Sequence, residues 1–139
     1  MAADIEFQVN GDIPQAIPNG DHYEMTIHRA EQGSYRGRRK AYLWFKMVTP
    51  GEYVGQEFLM ACNVPPNGKW TASYKFWQAW VLAAGRRPTR ADRMSTAVFR
   101  HKVFRVRMRT VRKTANQTDR TPAQQYSVVD ELLEVMVGR

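Results

Sequence analysis

Phe99-Arg100-His101-Lys102-Val103-Phe104-Arg105-Val106-Arg107-Met108-Arg109-Thr110-Val111-Arg112-Lys113 alternates apolar and cationic residues before both sets turn basic. Successive side chains of a strand point to opposite faces, so Phe104, Val106 and Met108 can enter a core while Arg105, Arg107 and Arg109 stand in a row outside. That row is spaced to meet a polyanion. A solvated sheet face is the plainer alternative, because half-buried strands commonly alternate in this way.

The charge distribution favours the polyanion. The chain of 139 residues carries +8 overall, divided as −5 over residues 1–34, +15 over residues 35–113 and −2 over residues 114–139. A cationic middle between acidic flanks attracts phosphate backbones or anionic lipid. Nucleic acid is the better fit, since no segment reads as a long basic amphipathic helix or a lipidation signal. With 43% hydrophobic, 24% charged and 12% aromatic residues the composition is that of one folded domain. The acidic start, Met1-Ala2-Ala3-Asp4-Ile5-Glu6, and the lack of an apolar stretch near the roughly 20 residues of a membrane span predict a soluble, cytoplasmic protein. Cys62, the one cysteine, lies in the apolar context Phe58-Leu59-Met60-Ala61-Cys62 and reads as a buried structural thiol.

Working back along the chain, residues 1–20 contain Gly11, Pro14, Pro18 and Asn19-Gly20, which predicts a flexible acidic arm that could screen the basic surface, ahead of a single domain over 21–139. From Asp21, Tyr23, Met25 and Ile27 alternate with polar neighbours as a first strand. Gly33 to Lys40 reads as a loop whose Tyr35, Arg36, Arg38, Arg39 and Lys40 suit closure over a nucleic-acid strand, or as a plain exposed hairpin tip. In the second strand, Ala41 to Val48, Leu43, Phe45 and Met47 share one face and Tyr42, Trp44 and Lys46 the other. One set fills the core; the other supports a second layer or offers a stacking platform.

Gln56 to Val64 reads as a third strand, with Phe58, Met60 and Cys62 on one side and Pro65-Pro66-Asn67-Gly68 ending it. Thr71 or Ser73 can cap a helix running to about Ala84, with Phe76, Trp77, Trp80, Val81 and Ala84 on its core stripe and Gly85 as terminator. The arginine strand is the fourth, and the composition of Asn116 to Pro122 predicts a polar, mobile connection. A fifth strand, Gln124 to Val129, is predicted to pass into a short C-terminal helix with Val129, Leu132, Leu133 and Met136 on one face.

The order strand, strand, strand, helix, strand, strand is that of the OB-fold, a five-stranded barrel with one helix between strands three and four, whose ligands lie across strands two and three and the adjoining loops. The expected fold is therefore mainly β, an OB-fold barrel with a short C-terminal helix. Loops after strands one and four then carry Arg36, Arg38, Arg39, Lys40, Arg112 and Lys113 toward the Tyr42, Trp44 and Lys46 face.

Over about residues 17–130 the chain resembles the OB-fold single-stranded-DNA-binding-like proteins encoded by phages and mobile elements. The resemblance lies in Ile17-Pro18-Asn19-Gly20, Leu43-Trp44-Phe45 with Pro50-Gly51-Glu52-Tyr53-Val54-Gly55, Trp80-Val81-Leu82-Ala83-Ala84-Gly85, Phe99-Arg100-His101-Lys102-Val103-Phe104 and Tyr126-Ser127-Val128-Val129-Asp130. It implies single-stranded DNA binding in replication or recombination, without catalysis, with Trp44 and Tyr42 stacking on bases and the cations of the first loop and fourth strand on phosphates. The chain departs from many bacterial single-strand binders in ending Glu134-Val135-Met136-Val137-Gly138-Arg139 rather than in a disordered acidic tail.

Catalytic and metal chemistry find no constellation. His22 and His28 share a strand face, but six residues at about 3.4 Å each separate them by about 20 Å. Glu52, Glu57 and Asp92, the acids of the basic region, have no nuclease-like spacing, and no phosphate-cradling glycine loop is present. The expectation is a binding protein that needs no cofactor, with Arg36, Arg38, Arg39, Lys40, Tyr42, Trp44, Lys46, Arg105, Arg107, Arg109, Arg112 and Lys113 on nucleic acid. The alternative is an accessory or scaffold subunit of a nucleoprotein complex contacting RNA or duplex DNA. Its terminal helix would then meet a protein partner or a second copy.

Overall fold

Phe104, Val106 and Met108 point inward from the arginine strand and are buried, as their alternation requires. The computed structural model describes residues 16–112, 118 and 125–138. Its strands are β1 (Gly20–Tyr35), β2 (Arg38–Met47), β3 (Glu57–Asn63), β4 (Val103–Val111) and β5 (Tyr126–Val137); helix α1 (Lys75–Ala84) and a 3-10 turn (Thr96–Phe99) lie between β3 and β4. All strand pairs are antiparallel in one sheet of order β3-β2-β1-β4-β5.

The inward residues of every strand form one core: Tyr23 and Met25 from β1, Leu43, Phe45 and Met47 from β2, Phe58, Met60 and Cys62 from β3, and Val129 and Leu132 from β5. Phe76, Ala79, Trp80 and Ala83 of α1 close it, with Phe99 beneath them. The α1 helix touches both edge strands, β3 and β5, which approach each other to within 8 Å between Cα atoms. No hydrogen-bonded ladder joins those edges among the described residues, so the sheet is open where a closed barrel was expected. Burial pushes the Cys62 thiol up to about 12, the behaviour of a packing group rather than a nucleophile.

Three local expectations are corrected. Residues 33–40 are not a loop but the end of a long hairpin, in which β1 and β2 stay paired as far as Tyr35 and Arg38. Only Arg36 and Gly37 turn, both at positive φ (52° and 75°), the geometry that matches a tight hairpin to the strand twist. Helix α1 starts at Lys75 with Tyr74 at its N-cap and no side-chain cap bond, because Thr71 and Ser73 bond each other instead. Gly85 ends it in the left-handed conformation, as expected (φ 72°).

The third correction is the terminal helix, which is strand. The register of β5 against β4 jumps by one extra residue three times, passing over Met136, Leu133 and Asp130. Each bulge adds a residue to one strand, so the inward set Val129, Leu132 and Val135 recurs every third position rather than every second. That spacing imitates helical periodicity. The pairing of Tyr126–Val137 with β4 overrides it, and no partner or second copy can dock on a helix there.

Of the expected arm, residues 1–15 lie outside the described residues, while Ile17 belongs to the core. Its N–H donates to the buried Ser127 Oγ at 2.8 Å, and the hydroxyl donates back to the Ile17 carbonyl at 3.3 Å. Ser127→Ala leaves both backbone groups buried without a partner and is expected to cost about 1–3 kcal/mol, read as a lower midpoint in urea unfolding. An unchanged midpoint would show that water replaces the hydroxyl.

Candidate functional site

The cationic and aromatic residues divide between two regions of the outer sheet face. On β2, Lys40, Tyr42, Trp44 and Lys46 alternate with the buried Leu43, Phe45 and Met47 and so share the outer side, each half-buried. Alternate residues of a strand are about 6.8 Å apart, which sets Tyr42 and Trp44 side by side. Tyr42 lies over Gly33 of β1, where a Cβ would come within 2.7 Å of its ring, so the glycine gives the tyrosine its seat. Lys40 bonds the side chain of Asn63. Lys46 stands between Thr26 of β1 and Glu57 of β3 in the register.

Trp44 is held on two sides. Its Nε1 donates to Glu31 Oε1 at 3.1 Å, and the Arg29 guanidinium lies over the ring, 4.5 Å from its centroid. Arg29 in turn faces Glu31 at 3.3 Å and Glu57 at 4.0 Å, and its Nε is buried without a hydrogen bond. Strict alternation from Tyr23, Met25 and Ile27 would turn residue 29 into the core. A bulge at His28 flips it outward, opposite Trp44. Sequence reasoning missed this residue; an arginine where the pattern demands an apolar side chain was the signal.

At the hairpin tip Arg36 and Arg38 are exposed, with the Arg36 guanidinium 5.4 Å from the Tyr35 ring centroid. Arg39 falls on the opposite face of the hairpin and does not join them.

Arg105, Arg107 and Arg109 do stand in an outward row, but carboxylates of β5 meet each of them. Arg105 bonds Glu134 at 3.2 Å, Arg107 bonds Glu131 at 2.5 Å and Arg109 bonds Asp130 at 3.2 Å. Arg105 also donates to the Asp21 carbonyl at 2.8 Å. The row faces the Gly20–Thr26 half of β1, whereas Trp44 faces Arg29. At about 3.4 Å per residue, Arg29 lies about 15 Å along β1 from Glu24, the partner of Arg105, while Lys46, opposite Thr26, lies nearer the row. Arg112 is exposed just past β4, and Lys113 lies outside the described residues. The expected convergence on one surface is thus limited to the hairpin and β2; the β4 row is a separate, charge-compensated ladder.

Of the histidines, His28 faces Glu57 at 3.4 Å, His22 stacks on Tyr23, and His101 stands at positive φ (59°) before β4. Among the described residues no three His, Cys, Asp or Glu side chains are grouped to hold a metal ion. No helix among them is long and apolar enough to cross a membrane. Comparisons of the chain with protein-family models, with curated proteins and with solved structures found no match.

Proposed function

We propose that the protein binds single-stranded nucleic acid, DNA in the first instance, along the outer face of β1, β2 and β3, and does no chemistry on it. The observation that carries this reading is the Tyr42–Trp44 pair flanked by Lys40 and Lys46, with the Arg29 guanidinium already stacked on Trp44. Aromatic rings and guanidinium planes both accept stacked bases, and neighbouring cations take the phosphates. A base meets either the Arg29 plane or, once Arg29 swings aside, the indole itself.

The hairpin tip supports the same reading. A left-handed conformation costs a residue such as arginine about 1–2 kcal/mol relative to glycine or asparagine. Arg36 occupies such a position at φ 52° and projects a charge beside Arg38, which is economical if that charge meets a phosphate. The sheet is read here as an OB-type barrel, supported by its order, by the helix between β3 and β4 and by the approach of β3 to β5. Work in replication or recombination of a phage or mobile element rests on the sequence resemblance alone.

The first test is binding of the purified protein to labelled single-stranded DNA, duplex DNA and single-stranded RNA of equal length at two salt concentrations. A preference for single strands with tryptophan quenching is expected. Each phosphate contact on a single strand contributes about 0.7 to the slope of log affinity against log salt, so Arg36→Ala and Arg38→Ala should each flatten it by about that amount. Equal, weak binding to all three polymers would sink the proposal and favour the accessory-subunit reading, which has lost its terminal helix.

A further inference from the structure

The β1–β2 hairpin has a second face that the strand-binding surface does not use. Ala30, Gln32, Arg39 and Ala41 lie on the side opposite Tyr42 and Trp44, and overhang the segment between β3 and β4. Two of the four are alanines, so the overhang leaves room for a half-open cavity of about 310 Å3, lined also by Trp70, Met94 and the two carboxylates of Asp92 and Glu31, the latter turned away to Trp44 and Arg29. Trp70 is fixed there, its backbone N–H bonded to the Ala91 carbonyl at 3.0 Å and its ring packed on Phe76 at 4.6 Å and on Tyr74 at 5.8 Å. The Asp92 carboxylate is fixed as well, both oxygens bonded by Arg90 at 3.1 and 2.8 Å. The Arg90 guanidinium also holds the Asp92 carboxyl below the usual range. Among the described residues the side chains of Gln32 and Arg39 have no hydrogen-bond or ion-pair partner.

We propose that this cavity takes one nucleotide, its planar base against Trp70 and Met94, its polar edge on Gln32 and Asp92, and its phosphate toward Arg39. Ligand pockets run from about 300 Å3 upward with apolar walls and a few placed polar groups, and this one is at the small end, right for a single heterocycle with its sugar and too small for a peptide helix. An aromatic ring and a thioether make the slot that a flat, polarisable ring fills best. A carboxamide reads the edge of a base through one donor and one acceptor, and a carboxylate locked by arginine accepts from an exocyclic amine without rearranging. An acyl chain would make no use of Gln32 and Arg39, two polar side chains of the lining that have no partner of their own among the described residues.

The inference rests on the proposed function only in expecting nucleic acid as one source of the nucleotide; a free mononucleotide is the other. The test is an NMR titration of the full chain with nitrogen-15-labelled tryptophan, following the indole N–H signals assigned by Trp70→Phe and Trp44→Phe. The probes are the four nucleoside 5′-monophosphates and, separately, a single-stranded oligonucleotide with and without one abasic residue. Saturable movement of the Trp70 signal by a monophosphate, with Trp44 unmoved, assigns the cavity to free nucleotide. Movement by the intact oligonucleotide but not by monophosphates, reduced by the abasic residue, assigns it to a base of a bound strand. Gln32→Ala should weaken either response about fivefold, and Ala41→Phe, which fills the slot, should abolish it. A Trp70 signal that ignores both probes, or responds undiminished in Gln32→Ala and Ala41→Phe, overturns the proposal. If Trp70 responds while no preference for single strands is found, the outer-face reading fails and the cavity stands; the converse result separates them the other way.

Discussion

Trp44→Ala is expected to weaken single-strand binding by about 1–3 kcal/mol, a loss of about 5- to 150-fold, with little change in the salt slope. The magnitude follows from what the indole does on the outer face of β2: it offers a stacking plane and supports the Arg29 guanidinium 4.5 Å above it. Removing the ring removes both, since Arg29 then has only Glu31 and Glu57 to hold it. Trp44→Phe, which keeps a π face and loses the bond to Glu31, should retain most of the affinity. Arg29→Ala separates two routes. If the base stacks on the guanidinium, that variant loses affinity as Trp44→Ala does; if the guanidinium merely covers the indole, its removal frees the ring and affinity rises. Unchanged binding in Trp44→Ala, alongside a loss in Arg36→Ala, would reduce the contact to electrostatics and end the stacking proposal. Because Trp44 is half-buried and outside the core, its unfolding midpoint should move far less than its affinity.

Much of this architecture is legible in the chain wherever one local rule acts alone. Phe104, Val106 and Met108, Leu43, Phe45 and Met47, and Phe58, Met60 and Cys62 all alternate at period two and are all buried. Gly85 stops α1 because a left-handed residue satisfies the last carbonyls most cheaply when it has no Cβ. The reading fails where register intervenes. His28 inserts one residue and turns Arg29 outward, and Asp130, Leu133 and Met136 insert three, giving a strand the spacing of a helix. Bulges are set by pairing between distant segments, so a pattern confined to one segment cannot display them. The β4 arginines teach the same lesson about charge. Their alternation was visible, but Asp130, Glu131 and Glu134 neutralise them from a strand more than twenty residues later, and exposed pairs of this kind contribute only about 0–1 kcal/mol each. A polyanion could displace those carboxylates at small cost, yet among the described residues Arg36 and Arg38 at the hairpin tip offer charges that no carboxylate meets.

The largest stability effect should come from Phe104→Ala. Phe104 is fully buried at the middle of a run of aromatic contacts, edge-on to Phe45 at 6.4 Å on one side and to Phe99 at 6.1 Å on the other. Phe99 continues the run to Phe76 at 6.1 Å, and Phe76 to Trp70 at 4.6 Å. Phe45 and Phe104 belong to the sheet, Phe99 to the 3-10 turn and Phe76 to the helix, so the run ties the middle of the sheet to the helix layer through Phe104 and Phe99. Truncating a buried phenylalanine costs about 3–5 kcal/mol, because the neighbours are fixed on both sheet and helix and cannot collapse into the space. Against a total of about 5–15 kcal/mol for a domain, that is a fall in melting temperature of about 10 °C or more. Phe104→Leu, which keeps most of the volume, should cost distinctly less. A loss below about 1 kcal/mol in Phe104→Ala would mean that helix and sheet are loosely joined. The Trp70 indole signal reports on the same contact from the far end. If the aromatic run holds the cavity wall, Phe104→Ala shifts that signal in the folded protein while Trp44, on the outer face of the sheet, keeps both its signal and its affinity for single strands.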